Sequence, residues 1–241
     1  MNLEYIRELA AEQMMHRRSH PSVEWGNKYY HGQRVARMVI ELRKELFPDN
    51  SEQDEALVVA AWFHDIANDR SDPTIDHQEV GAIMTRSILK DVCLPEELDC
   101  ICELIRYHDT RYPANKGMSD WIKLLQDADL LDHLGIFDIW YIFSQASQHK
   151  MPIPELFEWF ERTRPAKDEQ FYYDCNFALS RRIMLEKSQF VYEFGQRYLA
   201  EGSGKIWNKE ALAEAWKTED SGKLYGEEPE SVCNQETDVT E

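Results

Sequence analysis

The side chains best suited to chemistry in this sequence are an adjacent imidazole and carboxylate, His64 and Asp65, which directly follow the apolar residues 56–63. If this run is helical, the apolar residues one and two turns earlier share the face of His64. His64 then points towards the core, and Asp65 lies about 100° further round. Burying such a pair is costly unless a partner compensates it. A bound metal ion is one such partner, and an ordinary hydrogen-bonded core histidine is the alternative.

Further polar side chains occupy the core-facing phase of other predicted helices: His31, His77, His108 and Asp129. Each lies close to a helix end, where several helices can present side chains to one point. Three or more imidazoles with carboxylates suit a divalent transition metal, and carboxylate-rich shells also suit manganese or iron. The alternative is a set of independently hydrogen-bonded core residues. The shared phase of the whole set favours a metal site.

Amphipathic helices account for the pattern around these side chains. They are predicted at residues 24–47, 76–91, 95–107 and 121–131, with the His64 helix between the first two and further helices from Pro152 and within 171–199. No alternating strand pattern occurs, so the sequence predicts an all-α protein with one globule over residues 1–217. Residues 218–241 contain eight acids and one lysine with few large apolar side chains, which predicts a disordered acidic tail.

The amino-acid composition limits which molecules the protein can bind and where it is expected to act. The formal net charge of −18 means that the average surface would repel nucleic-acid polymers and acidic membranes. The five cysteines are odd in number and irregularly spaced, which is typical of free thiols in a reducing cytosol. The charged N-terminal residues do not form a signal peptide, and no stretch approaches a membrane span. We therefore expect a cytoplasmic protein that acts on a small molecule. The sequence does not indicate whether the protein is a monomer or an oligomer.

The order His31, His64-Asp65, Asp129 resembles the HD superfamily of metal-dependent phosphohydrolases, over roughly residues 24–134. The segments 77–82 (HQEVGA) and 125–135 (LQDADLLDHLG) are similar to the branch that contains small bacterial nucleoside-triphosphate pyrophosphohydrolases. The resemblance implies an all-α HD-domain helical bundle with additional C-terminal helices. It also implies a divalent ion, Mn, Mg, Co or Ni, bound by the residues that match the motif.

By this resemblance, His31, His64, Asp65 and Asp129 are the ligands of the primary metal ion. In dinuclear members the aspartate of the pair bridges two ions, and histidines at positions like His77 and His108 bind the second one. Whether this chain binds one ion or two stays open from the sequence.

Several HD hydrolases place an acid one turn beyond the HD pair. This chain has Asn68 where some members carry Glu, so Asp69 is predicted to share the catalytic role with Asp65; a loop residue that only caps or solvates is the alternative. Arg34 is predicted to pair with a phosphate or with Asp65. Arg111 and Lys116, which follow His108 along the chain, are predicted to bind the substrate.

The resulting prediction is a hydrolase of phosphate esters or anhydrides, with a nucleotide as the small phosphorylated substrate and metal-activated water as the nucleophile. One rival is a di-iron oxygenase, because some HD proteins use a His, His-Asp, His, His, Asp shell in this chain order, and the iron would then be redox-active. A metal-stabilised binding module without turnover is the third interpretation.

Overall fold

The structure is a computed structural model in which residues 1–19, 23–68 and 76–205 are described. These residues form ten α-helices and a short π-helical segment, with no strand among them, and the predicted all-α class is confirmed. The helices are α1 (Leu3–Met14), α2 (Asn27–Leu46), α3 (Asp54–Phe63), α4 (His77–Leu89), α5 (Pro95–Tyr107), α6 (Asp120–Asp132), α7 (Ile136–Gln148), α8 (Ile153–Glu158), α9 (Arg164–Asp174) and α10 (Ala178–Gly202), and the π-helical segment is Trp159–Thr163.

Helix α3 lies at the centre of the bundle and contacts α1, α2, α5 and α6. Its sequence explains this position, because apolar side chains project from every side of the helix and require burial all round. Leu57, Val59 and Phe63 have no exposed surface. His64 directly follows the last helical residue and keeps helical backbone angles, with φ −53° and ψ −36°. The helical phase therefore continues into His64.

Helix α2 crosses α3 closely beside His31. It begins at Asn27, three residues later than predicted, because Gly26 before it has left-handed backbone angles with φ 74°. At the crossing, a Cβ atom built on Gly32 would lie 2.8 Å from the carbonyl oxygen of Ala61. Only glycine fits this approach without displacing one helix, and the approach places His31 next to the end of α3.

Helix α6 is tied to α10 through the buried carboxylate of Asp127. The backbone N–H groups of Asn176 and Phe177, which precede α10, donate to this carboxylate over 2.9–3.1 Å, and the Asn176 side chain adds a bond of 2.8 Å. Burial raises the pKa of Asp127, and the hydrogen bonds from this helix start act in the opposite direction. Asp127 therefore holds α10 against the helix that carries Asp129.

Substituting Asp127 by Ala is expected to lower the free energy of unfolding by about 2–3 kcal/mol, because two buried backbone donors lose their acceptor. Thermal or urea unfolding followed by circular dichroism measures the loss. Glu186→Ala is the matched control, since Glu186 is an exposed acid on α10, and it should change the stability by less than about 0.5 kcal/mol. Equal effects of the two substitutions would contradict the role given to Asp127.

Backbone contacts divide the chain into two units, Met1–Gln196 and Arg197–Glu241. Of the second unit, the described part is the end of α10 and the residues up to Lys205. The predicted change to an acidic tail at residue 218 lies outside the described residues and stays a prediction. No helix among the described residues has both the length and the apolar character needed to cross a bilayer.

Candidate metal centre

Four of the predicted metal ligands meet in one buried cluster. Nε2 of His31 lies 3.0 Å from Oδ1 of Asp129 and 3.2 Å from Nε2 of His64. Oδ2 of Asp65 lies 3.8 Å and 3.7 Å from the same two imidazole nitrogens. Each of the four residues is 6% exposed or less. Three helices supply them: α2, the end of α3, and α6.

Backbone carbonyls orient two imidazoles towards the cluster. Nδ1 of His64 donates to the carbonyl of Ala61 over 2.8 Å, and Nδ1 of His108 donates to the carbonyl of Ile105 over 2.7 Å. Because a carbonyl can only accept, the neutral ring carries its hydrogen on Nδ1 and presents the lone pair of Nε2. Burial and the neighbouring His64 lower the pKa of His108 to about 4, so His108 is neutral.

His31 is held from behind by Asp132, a residue that the sequence analysis did not single out. Nδ1 of His31 donates to Oδ2 of Asp132 over 2.7 Å, and Arg34 donates to both oxygens of that carboxylate over 2.8–3.1 Å. Burial raises the pKa of Asp132, but His31 and Arg34 outweigh it and lower this pKa to about 2. Arg34 is thus paired with Asp132 and not, as one alternative predicted, with Asp65.

Asp65 has a different cationic partner, Lys28. The Lys28 ammonium contacts Oδ2 of Asp65, while Oδ1 accepts a hydrogen bond of 2.7 Å from the Asn68 side chain. Burial raises the pKa of Asp65, but the charges of Lys28, His64 and His31 hold it well below its usual value. Asp65 is therefore ionised, and one of its oxygens faces both His31 and His64.

The remaining predicted ligands extend the same cluster. His77 and His108 have ring centroids 5.3 Å apart, and their nitrogens lie within 4.8 Å of each other and of an Asp65 oxygen. A second group of this kind joins His31 and Asp129 to His133, which the sequence analysis missed. His133 directly follows α6, so its position one turn after Asp129 was the available signal. Several imidazole nitrogens and carboxylate oxygens this close together suit the binding of a divalent transition metal.

A cavity of about 350 Å³ opens onto the cluster, and the predicted substrate-binding residues differ in whether they line this cavity. Arg111 lines this cavity, with Nη2 3.6 Å from Oδ2 of Asp129. Lys116 does not: it is exposed and lines a separate cavity beside Tyr112 and Asn115. Arg34 does not line the cavity either, because Asp132 holds its guanidinium. Asp69, the predicted second catalytic acid, lies outside the described residues.

The comparison with protein families identifies the fold. Residues 29–134 match the family model of the HD domain, a range that begins just before His31, ends just after Asp129, and contains the whole cluster. Residues 29–134 of this chain therefore carry an HD domain. The family implies a divalent metal ion, and the donor groups described above are those that such an ion requires. The matched residues lie within the range over which the sequence resembles the HD superfamily, 24–134.

Solved structures share the fold of this chain. An HD-superfamily hydrolase from Bacillus thuringiensis is 19% identical with a TM-score of 0.59, and the match covers 84% of this chain and 97% of that one. YpgQ from Bacillus subtilis, in complex with ADP, is 18% identical with a TM-score of 0.55, over 83% of this chain and 97% of that one. A Lactobacillus plantarum protein is 17% identical with a TM-score of 0.56, over 84% and 97%. A comparison with curated proteins gives no significant match.

Metal binding to this HD cluster is expected to release a proton. Burial lowers the pKa of His31, but its bonds to Asp129 and Asp132 outweigh burial and raise this pKa to about 9. The protonated ring therefore stabilises the metal-free fold fully below pH 6.5, and this contribution is lost as the pH rises through about 9. A metal ion needs the deprotonated ring, so its affinity should rise over the same range, by up to about tenfold per pH unit.

Isothermal titration calorimetry at pH 7.5, in buffers of different ionisation enthalpy, would count this proton. We expect about one proton released per Mn²⁺ bound, and a melting temperature of the metal-free protein that falls between pH 7 and 9.5. Metal binding without proton release would show that His31 is already neutral.

Proposed function

We propose that this HD protein is a metal-dependent phosphohydrolase that cleaves a phosphate ester or anhydride, with nucleotides as the substrate class. The observation that carries the proposal is the convergence of four donors on one buried point, beside a cavity whose wall includes the cations Lys28 and Arg111 as well as the acids Asp109 and Asp174. The four donors are His31, His64, Asp65 and Asp129. Imidazole and carboxylate donors hold the ion, and cations on the cavity wall attract a phosphoryl group. The two features together are what phosphate hydrolysis requires.

The ligands that we propose for the primary ion are the four residues predicted from the sequence, and His77 and His108 are the proposed ligands of a second. A divalent ion held there would supply a Lewis acid that lowers the pKa of a water molecule and polarises a phosphoryl oxygen. Asp132 fixes the ring of His31 through Nδ1, as a residue behind a metal ligand commonly does. Arg34 acts with Asp132 in this positioning role.

The residues on the cavity wall are proposed to bind and orient the substrate. Arg111 can donate to phosphoryl oxygens from the Asp129 side, and Lys28 can do so from the Asp65 side. Asp65 is ionised, so it can accept a hydrogen bond from the attacking water. Asp69 keeps its predicted role as a second acid. Lys116 is not included, because it lines another cavity.

Nucleotides are proposed as substrates on two grounds. The structure of YpgQ, which shares the fold, contains ADP. In this chain, a second cavity of about 260 Å³ adjoins the cluster cavity, since both are lined by Lys28, His133 and Phe171. Tyr141 and Trp159 add aromatic surface to it, which suits a base. The sequence similarity to pyrophosphohydrolases makes triphosphates the first compounds to test.

The test is a screen of the full chain, loaded with Mn²⁺, for phosphate and pyrophosphate release from nucleoside mono-, di- and triphosphates. Release from at least one of them, lost on chelation with EDTA and restored by metal, is the expected result. No release with Mn²⁺, Mg²⁺, Co²⁺ or Ni²⁺ from any of them would overturn the proposal.

The oxygenase alternative is favoured by one specific observation, which is that all six residues of its shell lie in the same cluster. His77 and His108 approach Asp65 closely enough to hold a second ion, as a di-iron site would need. The cations on the wall favour the hydrolase, because dioxygen chemistry has no general need for them. The binding-module interpretation would be favoured if Asp69 and the basic loop were remote from the ion, and Arg111 beside Asp129 argues against it for the loop.

A further inference from the structure

Lys28 occupies a central place in the site, although no motif in the sequence marks it. It is the second residue of α2, three residues before His31, so the two side chains share a helix face. Its side chain is 12% exposed, and its ammonium contacts Oδ2 of Asp65. A lysine this buried is rare unless it is paired, and its one described carboxylate partner is this candidate ligand.

The oxygen that Lys28 contacts is the one that faces the imidazoles. Oδ2 of Asp65 lies 3.7 Å from Nε2 of His64 and 3.8 Å from Nε2 of His31, whereas Oδ1 accepts the hydrogen bond from Asn68. A cation held between Asp65 and the two imidazoles would therefore share this oxygen with the ammonium. Two positive charges at that distance repel each other, and an anion that touches both relieves the repulsion.

Three cavities meet at Lys28. The first is the cluster cavity of about 350 Å³, and the second is the aromatic cavity of about 260 Å³. A third, of about 240 Å³, is lined by Arg17, Arg18 and Trp25. Within the described ranges 1–19, 23–68 and 76–205, Lys28 is the one residue that lines all three. The ammonium therefore borders all three cavities.

We propose that Lys28 is a specificity-determining residue that makes the centre select a metal ion together with a phosphoryl group. The ammonium weakens the binding of the ion alone, because it adds a like charge at Asp65. It strengthens the binding of an anion over the ion, because it adds a donor and an opposite charge. The part that concerns phosphate rests on the proposed function, whereas the part that concerns the metal does not.

The test compares Lys28→Met with the wild-type chain by isothermal titration calorimetry. We expect the variant to bind Mn²⁺ about threefold or more tightly and, once loaded with Mn²⁺, to bind inorganic phosphate about tenfold or more weakly. Lys28→Arg keeps the charge and should restore most of the phosphate affinity. Lys44→Met is the matched control: Lys44 lies on the same helix, pairs with Glu41 at the surface, and should change neither affinity.

Each outcome decides the proposal. Tighter metal and weaker phosphate binding in Lys28→Met supports it, whereas weaker metal binding or unchanged phosphate binding overturns it. If circular dichroism shows that the methionine variant loses its helical fold, Lys28→Gln replaces it, because glutamine keeps a polar end without the charge. A wild-type protein that hydrolyses no phosphate compound would refute the proposed function, but the calorimetric comparison would still decide the role of Lys28.

Discussion

Substitution of Asp65 by Asn is expected to abolish phosphate release while leaving the fold intact. The carboxylate faces His31 and His64 with one oxygen and carries the charge that balances Lys28 and a bound ion. Asparagine keeps the shape but loses that charge, so turnover should fall by about 10³-fold or more. The helical bundle should survive, because its centre is the apolar helix α3, and Asp65 lies beyond its last residue.

Phosphate release, metal content and far-ultraviolet circular dichroism, measured on the same preparation, check this result. Asp91→Asn is the matched control, because Asp91 is an exposed residue that follows α4 at the end of the helix opposite to His77. His64→Ala should behave like Asp65→Asn. Wild-type turnover in either cluster variant, with the metal content unchanged, would show that the pair does not hold the catalytic ion.

The convergence of His31, His64 and Asp129 could be predicted because helical phase is a local property. A residue three or four positions from a buried neighbour on a helix must face the same way, whichever helices pack against it. The prediction held even at His64, which lies just beyond α3, because its backbone angles stay helical. The fold class followed from the same periodicity.

The pairing of cations with carboxylates could not be predicted in this way. Lys28 and Arg34 lie three residues before and after His31, so both are on its face and the sequence does not distinguish them. Helix α2 packs against both α3 and α6, and this packing decides which acid each cation reaches. Lys28 pairs with Asp65, which follows α3, and Arg34 pairs with Asp132 on α6, whereas only Arg34 had been predicted as a partner of Asp65.

The loop after His108 shows the same limit. Arg111 and Lys116 were both predicted to bind the substrate, but Asn115, which lies between them in the chain, is anchored by two other amide side chains. Asn115 donates to Gln126 over 2.9 Å and to Asn176 over 2.8 Å. These three residues are far apart in the chain, so helical periodicity carries no information about their contact. Lys116 lines a different cavity from Arg111.

Metal-stripped protein, supplied with Mn²⁺ in the absence of oxygen, is expected to release phosphate or pyrophosphate from at least one nucleotide. Phosphoryl transfer needs a Lewis acid and no change of oxidation state, so Mn²⁺, Mg²⁺, Co²⁺ or Ni²⁺ can each serve to some degree. Oxygen chemistry needs iron that changes oxidation state. The cations at the cluster, Lys28 and Arg111, are the groups that a phosphoryl substrate uses and dioxygen does not.

The histidine variants make this comparison sharper. His77→Ala and His108→Ala should slow phosphate release less than His64→Ala does. His77 and His108 are proposed to serve a second ion or the substrate. His64 belongs to the primary group, because its Nε2 lies 3.2 Å from Nε2 of His31. The measurement is phosphate release under nitrogen beside oxygen uptake in air, with each metal in turn. Turnover that requires both iron and oxygen, and consumes oxygen with the substrate, would replace the hydrolase with the oxygenase. A redox-inert ion that sustains full turnover would exclude the oxygenase, since it cannot exchange electrons with dioxygen.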